Sequence, residues 1–201
     1  MAKLYFRYSA MNAGKSTALL QVAHNYEEKG MHVLLMKPAM DTKGDESVVS
    51  RLGVSRKVDV LFHPDDNLIK LIAKQPMVDC ILVDEAQFCT PEHIDQLFHL
   101  AVIDDIPVIC YGLRTDFQLQ GFPGSTRLLL LAHELEELKT ICQCGKKAIC
   151  NMRFVHGKPA FLGQQVTIDG KEGDTYYESV CGRCYINKKS KMKNQKLKPK
   201  T

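Results

Sequence analysis

One short stretch near the amino terminus constrains the fold more than any other. Residues Ser9–Thr17 read Ser-Ala-Met-Asn-Ala-Gly-Lys-Ser-Thr, and they lie between the apolar run Leu4-Tyr5-Phe6 and a helical pattern. A strand, a tight turn with Gly-Lys-Ser and a helix form the layout of a phosphate-binding loop, because backbone N–H groups and the positive end of the helix converge on an anion. In such a loop Gly14 lets the backbone approach a phosphate, Lys15 reaches the terminal phosphates and Ser16 can hold Mg²⁺.

The first position of this motif departs from the usual pattern, which has Gly where this chain has Ser9. A chance Gly-Lys-Ser at a helix start is therefore the alternative interpretation. The motif's place directly after an amino-terminal strand favours the phosphate loop.

A second stretch supplies the acids that a phosphate loop requires. Four apolar residues, Cys80–Val83, lead into Asp84 and Glu85. A carboxylate that leaves a parallel sheet at its carboxyl edge can hold Mg²⁺ beside the phosphate loop, and Glu85 suits a general base that takes a proton from water or an alcohol. Simple capping of the next helix is the alternative role. Together the two motifs predict a bound nucleoside triphosphate and transfer of its γ-phosphoryl group.

Apolar runs alternate with helical patterns over the first two thirds of the chain. Strands are predicted at residues 3–8, 31–36, 58–62, 78–83 and 106–113, and those at 31–36, 78–83 and 106–113 are expected to be buried. Helices are predicted over 15–28, from Asp65 or Asp66 to about Lys74, and from a Thr90 cap onward, while residues 37–57 predict a mobile loop. Such alternation is typical of an α/β fold with a parallel sheet covered by helices on both faces.

Four of the eight cysteines form two paired-thiol motifs in the last third of the chain. Cys142 and Cys144 form a C-x-C pair, and Cys181 and Cys184 form a C-x-x-C pair. Four thiolates suit a tetrahedral, structural Zn²⁺ site, and four unligated cysteines are the alternative. The other four lie in or beside apolar runs and are predicted core thiols: Cys80, Cys89, Cys110 and Cys150.

Composition and charge divide the chain further. It is 45% hydrophobic and 25% charged, as in ordinary globular proteins, and it begins without a secretory pattern or an apolar run of membrane-spanning length, which predicts a cytoplasmic protein. The net charge of the chain is +4. Residues 186–201 contain seven lysines and no acidic residue, so residues 1–185 carry a net charge of −3. The prediction is therefore a nucleotide-binding domain over 1–140, a zinc-binding β-rich domain over 141–185 with strands at 148–155, 165–168 and 175–180, and a disordered tail over 186–201.

The order of five motifs resembles the zinc-containing, cellular-type (type II) thymidine kinase family, most of all its bacterial branch. The resemblance covers about residues 1–186 and rests on Ser9–Thr17, Val83–Phe88, Tyr111–Phe117, Leu138–Cys144 and Tyr177–Cys181. It implies a RecA-like P-loop domain and a small zinc domain whose lasso loop covers the nucleoside. The implied activity is transfer of the γ-phosphate of ATP to the 5′-hydroxyl of thymidine, which gives dTMP in nucleotide salvage for DNA synthesis. Deoxyuridine is implied as a second acceptor.

The resemblance also implies residue roles. Glu85 would activate the 5′-hydroxyl as base, and Ser16 and Asp84 would hold Mg²⁺. The implied ATP contacts are Ser9, Ala10, Met11, Asn12, Ala13, Gly14, Lys15, Ser16, Asp84, Glu85, Ala86 and Gln87. The implied nucleoside contacts are Met11, Phe88, Leu113, Phe117, Phe122, Val166, Ile168, Asp169, Gly170 and Tyr177, with the lasso backbone near Val166–Gly170 reading the base.

Several positions depart from the family's pattern. Lys43 stands where a loop Arg is expected, with Arg51 and Arg56 nearby. Asn151 replaces a Thr that faces the thymine in some members. Asp169-Gly170 stands where a Gly pair is common, and Lys171–Asp174 looks like an insertion. The expected chemistry is unaffected, whereas selectivity for the base depends on these positions.

Two other functions remain open at this stage: a RecA-like, DNA-stimulated ATPase, and a zinc-ribbon nucleic-acid module with a vestigial phosphate loop. The mildly acidic charge of residues 1–185 argues against the DNA-stimulated ATPase, while the zinc-ribbon module predicts nucleic-acid binding that survives Lys15→Ala. The resemblance further implies a homotetramer, inhibition by the end product dTTP at the nucleoside site, and neither nucleic acid nor a membrane as partner.

Overall fold

Six parallel strands organise the first of two units in the computed structural model, which describes residues 1–39, 46–165 and 175–196. The first unit comprises Met1–Tyr8, Gly14–Arg114 and Phe122–Leu138. The second comprises Ser9–Ala13, Thr115–Gly121 and the described residues from Lys139 onward.

The sheet of the first unit alternates with helices along the chain, as the sequence predicts. Its elements in chain order are β1 (Leu4–Ser9), α1 (Lys15–Glu27), β2 (Val33–Pro38), β3 (Ser47–Val49), β4 (Ser55–Lys57), β5 (Val60–Phe62), α2 (Leu68–Ile72), β6 (Cys80–Val83), α3 (Pro91–Val102), β7 (Val108–Leu113), α4 (Pro123–Leu131) and β8 (Glu134–Glu137). The strand order is β5-β2-β6-β7-β1-β8. The predicted α/β fold with a parallel sheet is confirmed.

Strand β2 shows why both faces of the sheet are covered. Its side chains alternate, so that Leu34 and Met36 join one apolar cluster with α3 and α4 residues, whereas Val33 and Leu35 join a second cluster with α1 residues. All four side chains are at most 2% exposed. A near-continuous apolar run is therefore what this strand requires.

Local caps explain where the helices begin. Thr90 caps α3 by accepting from the backbone N–H of His93 at 3.2 Å, with Pro91 at the first helical position, as predicted. Helix α2 is capped by Asn67 and not by Asp65 or Asp66, because the Asn67 side chain accepts from the backbone N–H of Lys70. That prediction was wrong by one or two residues.

The predicted loop over 37–57 is also wrong in part. Strands β3 and β4 pair as an antiparallel hairpin, Ser47 opposite Lys57. Val48 is 1% exposed and packs in the apolar cluster with α1 residues, which gives this polar segment a buried anchor. Residues 40–45, including Lys43, lie outside the described residues.

Strand β8 forms one edge of the sheet and was not predicted from the sequence. It pairs in parallel with β1, Tyr5 opposite Glu134. Three of its four residues are Glu, and the strand is mostly exposed. Lys3 and Arg7 form ion pairs with Glu134 and Glu136 at 2.5 and 2.6 Å. The three glutamates give β8 no apolar pattern from which a strand could be predicted. Its strand conformation depends on the backbone pairing with β1.

The second unit is small and β-rich. It contains β9 (Thr140–Ile141), β10 (Lys147–Ala148), β11 (Cys150–Val155), β12 (Lys158–Ala160), β13 (Tyr176–Val180) and α5 (Gly182–Lys196). Strand β11 lies between β12 and β13 in an antiparallel sheet. Apart from Gln165, the predicted strand at 165–168 lies outside the described residues.

Helix α5 differs from the disordered tail predicted from residue 186. Its first turns are anchored, because Tyr185 is fully buried and its hydroxyl donates to the Phe117 carbonyl at 2.7 Å. The lysines that follow are good helix formers, and two of them still contact the unit, because Lys188 lies over the Phe154 ring and Lys189 over the Phe161 ring. Residues 197–201 are not described. Over the described ranges, the structure contains no helix that is long and apolar enough to cross a membrane.

Candidate active site

The first unit places the Gly-Lys-Ser segment at the start of α1. Gly14 is the N-cap in a left-handed conformation, φ 78°, which glycine adopts without strain. Lys15 and Ser16 follow as the first helical residues and are partly buried. Because the first N–H groups of a helix have no partner within it, this end can receive an anion.

Lys15 shares its surroundings with two carboxylates and an arginine. Burial lowers the pKa of Lys15, while the charges of Glu85 and Asp84 act in the opposite direction and Arg51 lowers the pKa further. Lys15, Asp84 and Glu85 are therefore close in space, as the paired motifs predict. Arg51 lies in the turn between β3 and β4, which brings a second cation near Lys15.

Asp84 follows β6 directly and is 3% exposed. Burial, and then the charge of Glu85, raises the pKa of Asp84 to about 7, whereas Lys37 and Lys15 favour its charged form. Its Oδ1 atom is buried and has no hydrogen-bond partner within the described parts of the chain. A buried carboxylate oxygen of this kind fits a ligand of a divalent cation.

Glu85 adopts a strained backbone conformation. Its φ is 50°, in the left-handed region that non-glycine residues avoid, and it begins the 3-10 turn Ala86–Phe88. Glu85 is only partly buried, and its Oε2 atom accepts a hydrogen bond from Nε2 of Gln87. Such strain costs on the order of 1–3 kcal/mol and is commonest at functional sites.

Apolar side chains surround the end of the 3-10 turn. The rings of Phe88 and Phe122 meet edge to face with centroids 5.7 Å apart. Leu113, at the end of β7, accepts through its carbonyl from the Ser125 hydroxyl at 2.5 Å. Three of the predicted nucleoside contacts thus belong to the first unit and flank the segment that carries Glu85.

The second unit holds the first half of the phosphate loop by its backbone. The Met11 N–H donates to Oδ1 of Asn151 at 2.8 Å, and the Met11 carbonyl accepts from the Ser179 hydroxyl. Asn12 has φ 61°, and its carbonyl accepts from Thr140 at 3.4 Å. Strands β11 and β13 therefore fix the conformation of Ser9–Ala13.

Ser9 occupies the position where the usual motif has Gly. It is 3% exposed, and its hydroxyl donates to the Ala10 carbonyl at 2.7 Å. The small side chain is thus accommodated within the loop itself. Ala10 is 6% exposed, whereas Ala13 is partly buried.

Phe117 and Tyr177 lie in the second unit around Arg153. The Arg153 guanidinium stacks over the Phe117 ring at 3.8 Å, and Arg153 lies opposite Tyr177 in the pairing of β11 with β13. Arg153 also donates to the carbonyls of Leu162 and Gln164. Phe117 is 1% exposed, so its ring is packed by protein atoms on nearly all sides.

The four paired cysteines converge as predicted. The sulfur atoms of Cys142, Cys144, Cys181 and Cys184 lie within 4.8 Å of one another. Cys144 Sγ and Cys181 Sγ are 3.6 Å apart, close to the ~3.8 Å edge of a tetrahedron with Zn–S bonds of about 2.3 Å. Donor type, number and spacing fit Zn²⁺.

Comparison with known proteins identifies the family that the chain resembles over almost its whole length. A sequence model described as "Thymidine kinase" matches residues 2–185. The chain belongs to the thymidine kinase family. It is 50% identical over 185 residues to a thymidine kinase of Idiomarina loihiensis, covering 90% of this chain and 94% of the relative. It is 50% identical over 186 residues to one of Shewanella oneidensis, covering 90% and 95%, and 48% identical over 187 residues to one of Chromobacterium violaceum, covering 92% and 98%.

Several predicted nucleoside contacts of this thymidine kinase family member lie outside the residues that the structure describes. Val166, Ile168, Asp169 and Gly170, and the segment Lys171–Asp174, lie outside the described residues. Ala86 and Gln87 are fully covered, at 0% and 1% exposure.

The structure also adds residues that sequence reasoning missed. Lys37 is 8% exposed, and the charge at the end of an otherwise apolar strand was its signal. Arg153 is likewise a charged residue within the largely buried strand β11. Asn151 stood out only as a departure from the family's pattern, and its hydrogen bond to Met11 could not be foreseen.

Proposed function

We propose that this chain is an ATP-dependent deoxynucleoside kinase that transfers the γ-phosphate of ATP to the 5′-hydroxyl of thymidine and deoxyuridine. The observation that carries the proposal is the family match over residues 2–185. The grouping of Lys15, Asp84 and Glu85 in the first unit supports it, since these are the charges that phosphoryl transfer requires.

The proposed chemistry follows from the character of each group. Lys15 and the backbone N–H groups at the start of α1 bind the phosphates of ATP and stabilise the charge that the transferred group carries. Asp84 and Ser16 would hold Mg²⁺, which neutralises phosphate charge when bound. The carboxylate of Glu85 accepts the proton of the 5′-hydroxyl as the oxygen attacks the γ-phosphorus. The leaving group is ADP.

The apolar surroundings of Glu85 support a nucleoside as the acceptor. Phe88, Phe122 and Leu113 offer the flat, apolar surface that a thymine base and a deoxyribose need. Met11, Phe117 and Tyr177 are proposed contacts from the second unit, and the lasso segment remains a proposal from the resemblance. The four-cysteine cluster is proposed to hold a structural Zn²⁺ that orders the second unit.

The family match favours this function over a DNA-stimulated ATPase or a zinc-ribbon nucleic-acid module. The homotetramer, inhibition by dTTP and the cytoplasmic location stay predictions. A single assay separates the functions: ATP-dependent phosphorylation measured on thymidine, deoxyuridine and deoxycytidine, with a DNA-only arm. We expect dTMP and dUMP to form, with no ATP hydrolysis stimulated by DNA. Hydrolysis that requires DNA and ignores thymidine would contradict the proposal.

Asn151 offers a test of how the phosphate loop is held. Asn151→Ala removes both the acceptor for the Met11 N–H and the donor to the Thr115 carbonyl at 3.0 Å. Each lost hydrogen bond at a buried site costs about 1 kcal/mol, so we expect KM for ATP to rise by about 5- to 30-fold. Steady-state kinetics with varied ATP, together with the zinc content, measure the effect.

Two further variants make the Asn151 test specific. Asn151→Asp keeps an acceptor for Met11 but places a buried negative charge against the Thr115 carbonyl and beside the phosphate loop, so its KM for ATP should rise at least as far as that of the Ala variant. Asn25→Ala removes an exposed amide that pairs with Gln21 on α1 and should leave KM unchanged. An unchanged KM for ATP in Asn151→Ala would show that this anchor does not control phosphate binding.

A further inference from the structure

Gln87 is almost completely buried, and both polar atoms of its carboxamide form a hydrogen bond. It lies in the 3-10 turn after Glu85 and is 1% exposed. Its Oε1 atom accepts from the Leu113 N–H at 3.0 Å, and its Nε2 atom donates to Oε2 of Glu85. Protein groups therefore already hold both polar atoms of this carboxamide.

The backbone fixes which way this amide faces. A backbone N–H can only donate, so the atom opposite Leu113 has to be the amide oxygen. The amide nitrogen then necessarily faces the Glu85 carboxylate, which in its charged form can only accept. The orientation of the amide is therefore determined by the hydrogen-bonding network and not by an arbitrary choice of rotamer.

Gly112 gives independent evidence that the amide is held in one place. A Cβ atom at residue 112 would lie 2.8 Å from Oε1 of Gln87 and 3.1 Å from its backbone nitrogen. Only a residue without a side chain allows β7 to approach this closely. Strand β7 therefore holds the Gln87 amide in two ways: the Leu113 N–H donates a hydrogen bond to it, and Gly112 packs closely against it.

Glu85 needs such support because its own backbone does not supply it. Its carboxylate is only partly buried, and its φ of 50° begins a short turn instead of a regular element. A partly exposed Glu side chain otherwise samples several rotamers, which costs side-chain entropy each time it has to adopt the reactive one.

We propose that Gln87 is a positioning residue for the reaction, holding the Glu85 carboxylate toward the acceptor hydroxyl through its Nε2–H donor. This inference rests on the proposed role of Glu85 as base. Gln87 engages Oε2, and the other carboxylate oxygen, Oε1, accepts the proton of the nucleoside hydroxyl. Gln87 transfers no proton and contacts neither reacting atom.

The proposal predicts a loss in turnover without a matching loss in binding. Gln87→Met keeps the length of the side chain and removes both hydrogen bonds. A misplacement of about 1 Å can cost about 10²-fold, so we expect kcat to fall by about 10- to 100-fold while KM for ATP and for thymidine each change by less than about 3-fold. A fall in binding alone would overturn the proposal, since it would place Gln87 in nucleotide binding.

A variant that keeps one of the two bonds identifies the donor as the active feature. Gln87→Glu still accepts from the Leu113 N–H but presents no amide N–H to Glu85. At a pH high enough to ionise both carboxyl groups, we expect its kcat to fall at least as far as that of Gln87→Met, and its melting temperature to lie below that of the parent because two carboxylates then face each other. Turnover close to that of the parent at this pH would show that the donor is not needed, and the proposal would be wrong.

A double-mutant comparison tests whether Gln87 acts through Glu85. In a Glu85→Gln background, Gln87→Met should lower kcat by less than about 2-fold, because the group that it positions is already gone. Losses that multiply would overturn the proposal. Near-normal turnover of Glu85→Gln alone would remove the base assignment and this inference together, whereas an impaired Glu85→Gln beside a normal Gln87→Met would overturn only the role of Gln87.

Discussion

Replacing Glu85 by Gln should lower kcat by about 10²- to 10⁴-fold, which is the usual contribution of a general base. The change keeps the size of the side chain and an oxygen that can accept from Gln87. It removes the negative charge that takes the proton of the 5′-hydroxyl. Lys15 and the start of α1 are untouched, so KM for ATP should change by less than about 3-fold. Steady-state kinetics on thymidine and ATP measure both values.

A matched carboxylate controls for a general effect of charge. Glu92→Gln removes an exposed acid in the first turn of α3 and should leave kcat within about 2-fold of the parent value. ATP binding by Glu85→Gln, followed by calorimetry, tests that the phosphate site remains intact. Turnover of Glu85→Gln within about 5-fold of the parent would rule out Glu85 as the base.

Loss of the proposed four-cysteine zinc site should destabilise the second unit more than any single loss of packing within it. Among the described residues, the main apolar cluster of that unit has eight buried members, and two of these, Cys142 and Cys181, belong to the four-cysteine group. Structural Zn²⁺ contributes about 10–16 kcal/mol in small zinc domains. Cys144→Ala should therefore remove the bound zinc and lower the melting temperature by more than about 10 °C, since 1 kcal/mol corresponds to about 2–4 °C in a chain of this size.

The chain contains a matched control for this experiment. Cys144 is exposed, so its truncation removes little packing, whereas Cys150 is buried in the same core and is not one of the four clustered cysteines. If metal stabilises the unit, Cys150→Ala keeps a full complement of zinc and melts well above Cys144→Ala. If packing alone stabilises it, Cys150→Ala is the less stable of the two and Cys144→Ala melts like the parent. Zinc is measured by elemental analysis and melting by circular dichroism.

Features set by local sequence could be predicted without the structure. The strand before Ser9, the strand before Asp84 and the helix that starts at Pro91 each follow from apolar periodicity and from caps a few residues away. The parallel sheet follows from their alternation, and the cysteine cluster follows from the spacing of two short motifs. In these cases the determining residues lie close together in the chain.

Features that depend on contacts distant in the sequence could not be predicted. The hydrogen bond between Met11 and Asn151 joins residues 140 positions apart, and no local pattern at either residue indicates it. Gln87 is held by Leu113 and Gly112 from a neighbouring strand. The β3–β4 hairpin was not predicted because its buried residue, Val48, lies in a mostly polar segment that shows no apolar periodicity.

The acidic edge strand β8 restricts how copies of this chain can associate. An edge strand has unpaired N–H and C=O groups that invite a strand from another molecule. Across a shared edge, Glu134, Glu136 and Glu137 would approach the same carboxylates of a second copy, and like charges on paired strands repel, although the ion pairs with Lys3 and Arg7 reduce this repulsion. Continuous sheet formation through β8 is therefore disfavoured at neutral pH. If the chain assembles as the predicted homotetramer, its subunits should meet through helices or loops, and the interface should resist mutation of these three glutamates.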